Sequence, residues 1–395
     1  MINLSEKHLL IQKIGEKIAK ERVAPRAKEI DATGAFPWDL LDIFKKHGFL
    51  YLTMPERFGG LDGDITSLCL IIEELAKVSG ASSLIPLANA VGLMPIMVAG
   101  TDEQKEYIYT KMTEPDKPYI WAFCLSEPEA GSDASHMRTY ATKNGGEYYY
   151  LNGKKAMITN AAAAQFYCVF AATNPSLRTR GISAFYLEKD YPGVILGKSE
   201  EKMGMIGTDL SELIFDNVRL TKDNLIGKEG QGWDLAMATL NLSRPAVGAQ
   251  AVGIAQGALD FAVEYAWNRV QFGQKLADFE GIQFMVADMA TEVEAARALV
   301  YDAAQLLDMK VYERDKMSAI GVDKLSAMAK VYSADVAMKV TTDAVQILGG
   351  YGYTKEYPVE RMMRDAKATQ IYEGTNQVQR VVIARDIFRR YIPGH

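Results

Sequence analysis

The stretch QILGGYGYTKEYPVERMMRDAKATQIYEGTNQVQR, residues 346–380, carries much of the information about the fold. It begins at the end of a long apolar helical pattern, and the pair Gly349 and Gly350 is a natural stop for that helix. Near its end a single carboxylate, Glu373, stands between an aromatic residue and Gly374. Taken alone, Glu373 fits a solvated loop carboxylate, although such a residue usually has polar neighbours. The rest of the sequence is needed to decide whether Glu373 is such a surface residue.

The composition limits the kind of protein. The 395 residues are too many for one ordinary core and predict two or three packed units. Hydrophobic residues make up 48% and charged residues 24%, which is typical of a folded soluble protein. The formal net charge is -6 and the chain has no basic run, so nothing favours a nucleic acid or an anionic membrane as a partner.

The N-terminus and the cysteines indicate the compartment. The first 23 residues alternate charged and apolar residues and lack the apolar stretch of a signal peptide, and we expect no membrane span later in the chain. Cys69, Cys124 and Cys168 lie far apart without metal or redox spacing, which favours buried thiols in a reducing, cytoplasmic compartment. The four histidines form no cluster, so we expect no metal site.

Three successive sequence patterns predict an α+β fold of three domains. Residues 1–118 carry apolar residues at helical steps and predict an N-terminal α-helical domain. Residues 119–227 contain short aromatic and β-branched runs separated by tight-turn sequences, which predict a middle antiparallel β-domain. Residues 228–395 return to helical patterns and predict a C-terminal α-helical domain. Its predicted helices cover residues 243–270, 279–309, 322–348 and 377–390.

Four motifs could carry chemistry, but none is a dinucleotide fingerprint or a P-loop. CLSEPEAGSD at residues 124–133 offers hydroxyls and amides to an anion or a flavin, although a capped turn would have the same sequence. KAMITN at residues 155–160 ends a predicted strand, and RVQFG at residues 269–273 offers a guanidinium suited to a pyrophosphate. The fourth motif is residues 346–380. Each is weak alone, but their order and separation are specific.

These motifs resemble those of the acyl-CoA dehydrogenase family, and the resemblance covers nearly the whole chain. It implies an N-terminal helical domain, a middle β-domain and a C-terminal four-helix-bundle domain. It also implies a homotetramer with one FAD per subunit, bound between the β-domain and the C-terminal helices, with its adenosine end touched by a neighbouring subunit.

The resemblance assigns residues to each part of the site. Those expected to line the flavin or the adjoining acyl-CoA are Phe123, Leu125, Ser126, Ser132, Met157, Ile158 and Thr159. Those expected to hold the pyrophosphate and adenosine end are Arg269, Gln271, Phe272, Gln346, Ile347, Gly349 and Gly350. Thr375 and Gln377 are also expected near FAD. Those expected near the substrate are Ser132, Asn241, Arg244, Tyr372, Glu373, Gly374 and Arg380.

The resemblance also gives Glu373 a role. In this family the glutamate of the YEGT motif removes the proton alpha to the thioester carbonyl, while the beta hydrogen leaves as hydride to flavin N5. Burial beside Tyr372 is expected to raise the carboxyl pKa and make the group a better base. The resemblance implies that the Glu373 backbone N–H and an FAD ribityl hydroxyl form an oxyanion hole.

Three positions depart from the family pattern. Some members carry the base immediately before the arginine that is Arg244 here, but that position is Ser243, so only Glu373 can serve. Met157 stands where Trp or Phe is common against the flavin, which either changes the flavin environment or is a simple packing substitution. Glu280 stands where glutamine is common and is expected to weaken one adenosine-side contact.

The acyl pocket is expected along the helix near residues 83–95. That helix offers Leu84, Leu87, Ala90, Val91 and Met94. No arginine occurs between Arg57 and Arg138, whereas family members that oxidise glutaryl-CoA use an arginine from this helix. An uncharged acyl group is therefore favoured, and whether it is straight, branched, aromatic-substituted or alicyclic stays open. Electrons are expected to leave to an electron-transfer flavoprotein during fatty acid or carboxylic acid degradation.

Other functions remain open at this point. An enoyl-CoA reductase would run the same reaction in reverse. Oxidases of the broader family are usually much longer than this chain. A non-catalytic scaffold or a flavin monooxygenase relative would be expected to lack a carboxylate at position 373.

Overall fold

The computed structural model describes residues 4–115, 118–146, 148–312, 322–389 and 391. The N-terminal part is helical, as predicted. Its helices are α1 (Glu6–Ile18), α2 (Ala27–Thr33), α3 (Trp38–Lys46), α4 (Ile65–Ala76), α5 (Gly80–Ala99) and α6 (Asp102–Thr113). Asp64 and Ser79 begin α4 and α5 by accepting hydrogen bonds from backbone N–H groups of the first turn. All residues of α4 are buried, so this helix forms the centre of the N-terminal part.

The middle part is one eight-stranded sheet. Its strands are β1 (Trp121–Cys124), β2 (Tyr140–Asn144), β3 (Tyr148–Thr159), β4 (Phe166–Ala172), β5 (Ile182–Glu188), β6 (Val194–Ser199), β7 (Leu210–Leu220) and β8 (Leu225–Ile226). They lie in the order β6-β7-β3-β2-β4-β5-β8, and β1 pairs with β4. Most pairings are antiparallel, as expected, but β1 and β2 each run parallel to β4. The register of β3 against β7 shifts between Lys155 and Ile158.

Long helices return after the sheet. The elements are α7 (Gly232–Asn268), β9 (Val270–Gln271), β10 (Gln274–Lys275), α8 (Glu280–Tyr312), α9 (Val322–Leu348), α10 (Val359–Thr369) and α11 (Asn376–Arg389). Strands β9 and β10 form a short hairpin. Arg390, where the sequence pattern places the end of the last helix, lies outside the described residues.

The glycines of α7 allow close helix contacts, which confirms their interpretation from the sequence. A Cβ atom on Gly253 would lie 2.3 Å from the carbonyl oxygen of Glu73, and one on Gly257 would lie 1.9 Å from that of Lys77. Both carbonyls belong to the end of α4 and the residue after it, so α7 packs its backbone directly on α4. This contact joins the N-terminal and C-terminal helical parts.

Two helices have the length and hydropathy of a membrane span, contrary to the expectation that none would approach one. These are α5 and α7. In their most apolar windows, 83% and 78% of the residues are buried inside the structure. A helix that is apolar all round packs in the core of a large protein as readily as in a bilayer, and the burial of α5 and α7 indicates the first case.

Candidate active site

Glu373 lies in the loop between α10 and α11, in a strained backbone conformation. Its φ is +58° and that of Gly374 is +88°, so two successive residues are left-handed. A Cβ atom on Gly374 would also lie 2.5 Å from Nε2 of Gln379, so position 374 requires glycine. For a residue with a side chain, this conformation costs about 1–2 kcal/mol, and such strain concentrates at functional sites.

The N-terminal half of α7 faces the carboxylate. The Ser243 hydroxyl donates a hydrogen bond of 2.5 Å to Oε2 of Glu373. The next residue, Arg244, is buried, and its Nη1 donates to Oδ1 of Asn241. Nδ2 of Asn241 in turn donates to Oδ1 of Asp323 at 2.7 Å. Nε of Arg244 is buried without a hydrogen-bond partner among the described residues, so one donor of this guanidinium remains available beside the carboxylate.

The electrostatics of the loop suit a base. Burial raises the pKa of the Glu373 carboxyl, while the Ser243 hydrogen bond and the charges of Arg244 and Lys330 act in the opposite direction. Burial also lowers the pKa of Lys330 to about 7, and Glu373 opposes that shift. Burial therefore destabilises the ionised carboxylate, and the two nearby cations partly offset this effect. The net result is a pKa that moves towards the working range of a general base.

Tyr372 connects the loop to the helix predicted to line the acyl pocket. Its hydroxyl donates to Oε1 of the buried Gln250 on α7. Nε2 of Gln250 donates to the Gly80 carbonyl at 3.1 Å and to Oγ of Ser83 at 2.9 Å, both on α5. The predicted pocket residues of α5 are all buried, namely Leu84, Leu87, Ala90, Val91 and Met94.

A polar cluster on α9 holds the other side of the loop, and the sequence analysis missed it. Nζ of Lys330 donates to the Gly374 carbonyl and to Oδ1 of Asn376, each at 2.9 Å. Asp335 accepts hydrogen bonds from Asn376 at 2.8 Å and from Arg380 at 2.6 Å. The signal was present, because Lys330 lies three and four residues from other buried positions of α9 and so falls on its apolar face.

The residues predicted for the flavin come from adjacent segments. Nζ of Lys155 donates to the Leu125 carbonyl at 3.0 Å and to Oε1 of Glu127 at 2.8 Å, and Ala156 N donates to the Ser126 carbonyl at 3.0 Å. These bonds fix the loop after β1 against β3. Sequence reasoning missed the Lys155–Glu127 pair, both members of which are buried.

The register shift in β3 turns one side chain out of the sheet. Met157 has a φ of +57° and is 60% exposed, whereas the next residue, Ile158, is buried in the core. Thr159 and Ser126 are partly exposed, and Ser132 is exposed. Phe123 packs on Phe170 with ring centroids 4.9 Å apart. The predicted flavin-side residues therefore differ in exposure: the Met157 and Ser132 side chains reach the surface, whereas those of Leu125 and Ile158 are buried.

Thr375 and Gln377 stand at the start of α11. The hydroxyl oxygen of Thr375 accepts a hydrogen bond from Val378 N at 3.2 Å, so Thr375 caps the helix. Gln377 is exposed. Arg380, one turn further, is bound to Asp335 at the outer edge of the α9 cluster.

The residues predicted for the pyrophosphate and adenosine end form a second group. The Arg269 guanidinium lies 5.3 Å from the ring centroid of Tyr351, which joins the end of α7 to the turn after α9. Gln271, Gln346, Gly349 and Gly350 are exposed, and Phe272 is 96% exposed. Ile347 is buried and anchors the turn.

The two groups are far apart within one chain. Ser243, beside Glu373, lies in the N-terminal half of α7, and Arg269 follows the last residue of the same helix. At 1.5 Å per residue their separation is about 39 Å, which exceeds the length of an extended FAD. One chain therefore does not bring both groups to the same cofactor.

Comparison with known proteins identifies the family. Models of the N-terminal, middle and C-terminal domains of acyl-CoA dehydrogenase match residues 5–116, 122–218 and 230–388. The chain belongs to the acyl-CoA dehydrogenase family and is an acyl-CoA dehydrogenase.

Similar proteins include one relative matched by its sequence and two solved structures. The cyclohex-1-ene-1-carbonyl-CoA dehydrogenase of Geobacter metallireducens is 45% identical over 98% of this chain and 99% of its own. The butyryl-CoA dehydrogenase structure from Megasphaera elsdenii is 43% identical, covers 98% of this chain and all of its own, and has a TM-score of 0.93. An acyl-CoA dehydrogenase of Bacillus anthracis, solved in complex with FAD, is 31% identical with a TM-score of 0.90, over 99% of this chain and 68% of its own.

FAD is the cofactor of this chain, and the residues present fit it. Among the described residues, no carboxylate pairs with the Arg269 guanidinium, which leaves a cation for a pyrophosphate. A Cβ atom on Gly273, Gly349 or Gly350 would meet nothing within 4 Å, so the backbone there is open to a ligand. The exposed Met157 side chain likewise offers an apolar surface to a flavin ring.

Proposed function

We propose that this chain oxidises an uncharged acyl-CoA thioester between Cα and Cβ, with Glu373 as the base. The observation that carries this proposal is a partly buried carboxylate on a left-handed turn, which accepts a hydrogen bond from Ser243 and is acted on by the charge of Arg244. A strained backbone conformation of this kind is not expected at an ordinary exposed loop glutamate.

Glu373 acts on the α-carbon. Its carboxylate takes the α-proton while the electron pair of that C–H bond forms the new double bond, and the β-hydrogen leaves with its own electron pair. FAD, when bound, supplies the acceptor for that hydride. Because only the ionised carboxylate accepts a proton, flavin reduction is expected to fall as the pH drops through the raised pKa of Glu373.

The thioester carbonyl needs hydrogen-bond donors as its oxygen gains negative charge. Among the described residues, the backbone N–H of Glu373 donates to no acceptor. It is therefore free to serve the carbonyl oxygen, as the resemblance suggests.

An apolar acyl group is favoured because the wall offered by α5 is apolar. Leu84, Leu87 and Val91 supply no charge, and a carboxylate buried against them would lose its hydration without a cation to replace it. The relatives named above act on cyclohexene-carbonyl and butyryl groups, which are uncharged, and this supports the same class of substrate here.

The test is an anaerobic titration of the FAD-loaded protein with butyryl-, octanoyl-, isobutyryl-, cyclohexanecarbonyl- and glutaryl-CoA. We expect an uncharged acyl-CoA to bleach the flavin fastest, since glutaryl-CoA would bury an unpaired carboxylate. Free CoA is the control. Glutaryl-CoA as the best substrate would overturn the proposed specificity, and absence of bleaching by every acyl-CoA would overturn the proposed reaction.

The oxidising direction and the partner are part of the same proposal. The sequence contains no dinucleotide fingerprint for NAD, so we propose an electron-transfer flavoprotein as acceptor and degradation of fatty or other carboxylic acids as the role. Three buried free cysteines support a reducing, cytoplasmic location.

A homotetramer is supported by a groove between α7 and α8. Its lining includes Val263, Trp267, Ile282 and Val286, and Trp267 is 60% exposed. Exposed apolar surface of this kind marks an interface with another chain, and we propose that a second copy covers it.

A further inference from the structure

Lys330 is fully buried in the first half of α9. Moving an ammonium group out of water is strongly unfavourable unless acceptors replace the lost water. Here the acceptors are the Gly374 carbonyl and Oδ1 of Asn376. Both belong to the segment that carries Glu373, so Lys330 holds the backbone of the loop while Ser243 bonds the Glu373 side chain.

The loop needs such support. Glu373 and Gly374 are both left-handed, a combination that persists only where neighbouring groups hold it. Two side chains bond the carbonyls of this turn: Gln379 donates to those of Glu373 and Gly374 at 3.1 and 2.9 Å, and Lys330 donates to that of Gly374. Of these two, only Lys330 carries a charge.

That charge acts mainly on Glu373. Among the described residues, no carboxylate lies within ion-pair distance of Lys330, and the strongest charge acting on it is the Glu373 carboxylate. The other charged or titratable groups of this region are Arg244 from α7, Asp323 and Asp335 from α9, Asp365 from α10, Tyr372 from the loop and Arg380 from α11. Because the pKa of Lys330 is about 7, its ammonium is charged through the acid range in which carboxylates titrate.

We propose that Lys330 is a positioning residue of the reaction: its ammonium fixes the left-handed turn through the Gly374 carbonyl and favours the ionised form of the Glu373 carboxylate. This inference rests on the proposed role of Glu373 as the base. It assigns to α9, a helix without a predicted substrate contact, a direct influence on the protonation of the catalytic group.

The experiment compares two substitutions at one position. Lys330→Met removes the charge and the donor at similar length, whereas Lys330→Gln removes the charge but keeps a donor for the loop. The control is Lys339→Met on the same helix, because Lys339 is half-exposed and pairs with Glu292 and Asp343 away from the loop. The measurement is the anaerobic rate of flavin reduction by a good acyl-CoA substrate as a function of pH, with FAD content recorded for each variant.

Without the ammonium, the pKa of Glu373 rises, so the acid limb of the pH profile moves to higher pH in both variants. In Lys330→Met the plateau rate also falls, by about tenfold or more, because the hydrogen-bond donor to the turn is lost. Lys330→Gln keeps more of the plateau rate, and Lys339→Met leaves the whole profile unchanged.

A purely structural lysine would slow the reaction without moving the acid limb. An unshifted limb in either variant therefore overturns the proposal, as does failure of both variants to fold and retain FAD. Glu373→Gln separates the two hypotheses. If it reduces flavin as fast as the wild type, the proposed base is wrong; if it is inactive while the Lys330 variants match the wild type, only the role of Lys330 is wrong.

Discussion

Glu373 shows how a single residue is made into a base by its surroundings. Its left-handed backbone and its partial burial cost free energy, whereas the hydrogen bond from Ser243 stabilises the ionised carboxylate. Replacing the carboxylate by the isosteric amide keeps the shape of the turn and removes the proton acceptor. We expect Glu373→Gln to retain FAD and bind acyl-CoA but to lose about 10²–10⁴-fold in the rate of flavin reduction.

Stopped-flow absorbance of the flavin under anaerobic conditions measures this rate. The matched control is Glu356→Gln, an exposed carboxylate of the same C-terminal region, which should behave as the wild type. A Glu373→Gln variant with undiminished flavin reduction would show that another group takes the proton.

The sequence predicts the residues of the site unevenly. Glu373, Arg244 and Met157 can be named because they stand in contiguous motifs. Lys330 and Gln250 cannot, because their role arises where α9 and α7 meet the loop, more than forty and one hundred residues away in the chain. A lysine on the apolar face of a helix is unusual and can be noticed in the sequence, but the sequence does not identify its hydrogen-bond partner.

The observed bounds of individual elements agree with the predicted bounds where nearby residues determine them. Helix α9 has the predicted bounds, since Gly349 with a φ of +62° stops it. Helix α7 starts eleven residues before its predicted start. Pro245 lies inside this helix, although proline is usually tolerated only in the first turn. The parallel pairing of β1 with β4 was not predictable, because it joins strands that are not consecutive in the chain.

The loop between β1 and β2 is an element whose shape depends on one buried ion pair. Glu127 accepts from Lys155 and from the backbone N–H groups of Arg138 and Thr139, at 2.6 to 3.0 Å. We expect Lys155→Met to lower the free energy of unfolding by about 3–5 kcal/mol, because it leaves a buried carboxylate without its cation. FAD affinity should fall with it, since the Leu125 carbonyl also loses its donor.

The neighbouring lysine provides the control. Lys154 pairs with Glu212 at the surface, so Lys154→Met should cost about 0–1 kcal/mol. Urea unfolding followed by circular dichroism, together with flavin content, measures both variants. Equal stability of the two variants would mean that the buried pair contributes no more than a surface one.

At the scale of the whole molecule, the two groups of FAD residues constrain the assembly. Ser243, which bonds Glu373, lies in the N-terminal half of α7, and Arg269 follows the last residue of this helix, about 39 Å away along its axis. A single FAD cannot span that distance, so we expect the Arg269 group of one chain to meet the cofactor bound to another. We therefore expect a complete site to need at least two chains, which agrees with the exposed apolar groove between α7 and α8.

This arrangement predicts that cofactor content and assembly are linked. In Arg269→Ala the pyrophosphate would lose a charge-assisted partner worth about 1.5–3 kcal/mol, so FAD should bind roughly 10- to 100-fold more weakly and the protein should purify flavin-poor. Arg22→Ala, which removes an exposed guanidinium from the N-terminal helices, is the control and should keep full flavin. The ratio of flavin to protein absorbance gives the content, and size-exclusion chromatography with light scattering gives the mass. We expect a tetramer for the wild type. A monomeric wild type with full FAD occupancy would contradict the shared site, because Arg269 of the same chain lies too far along α7 from Ser243 to reach that cofactor.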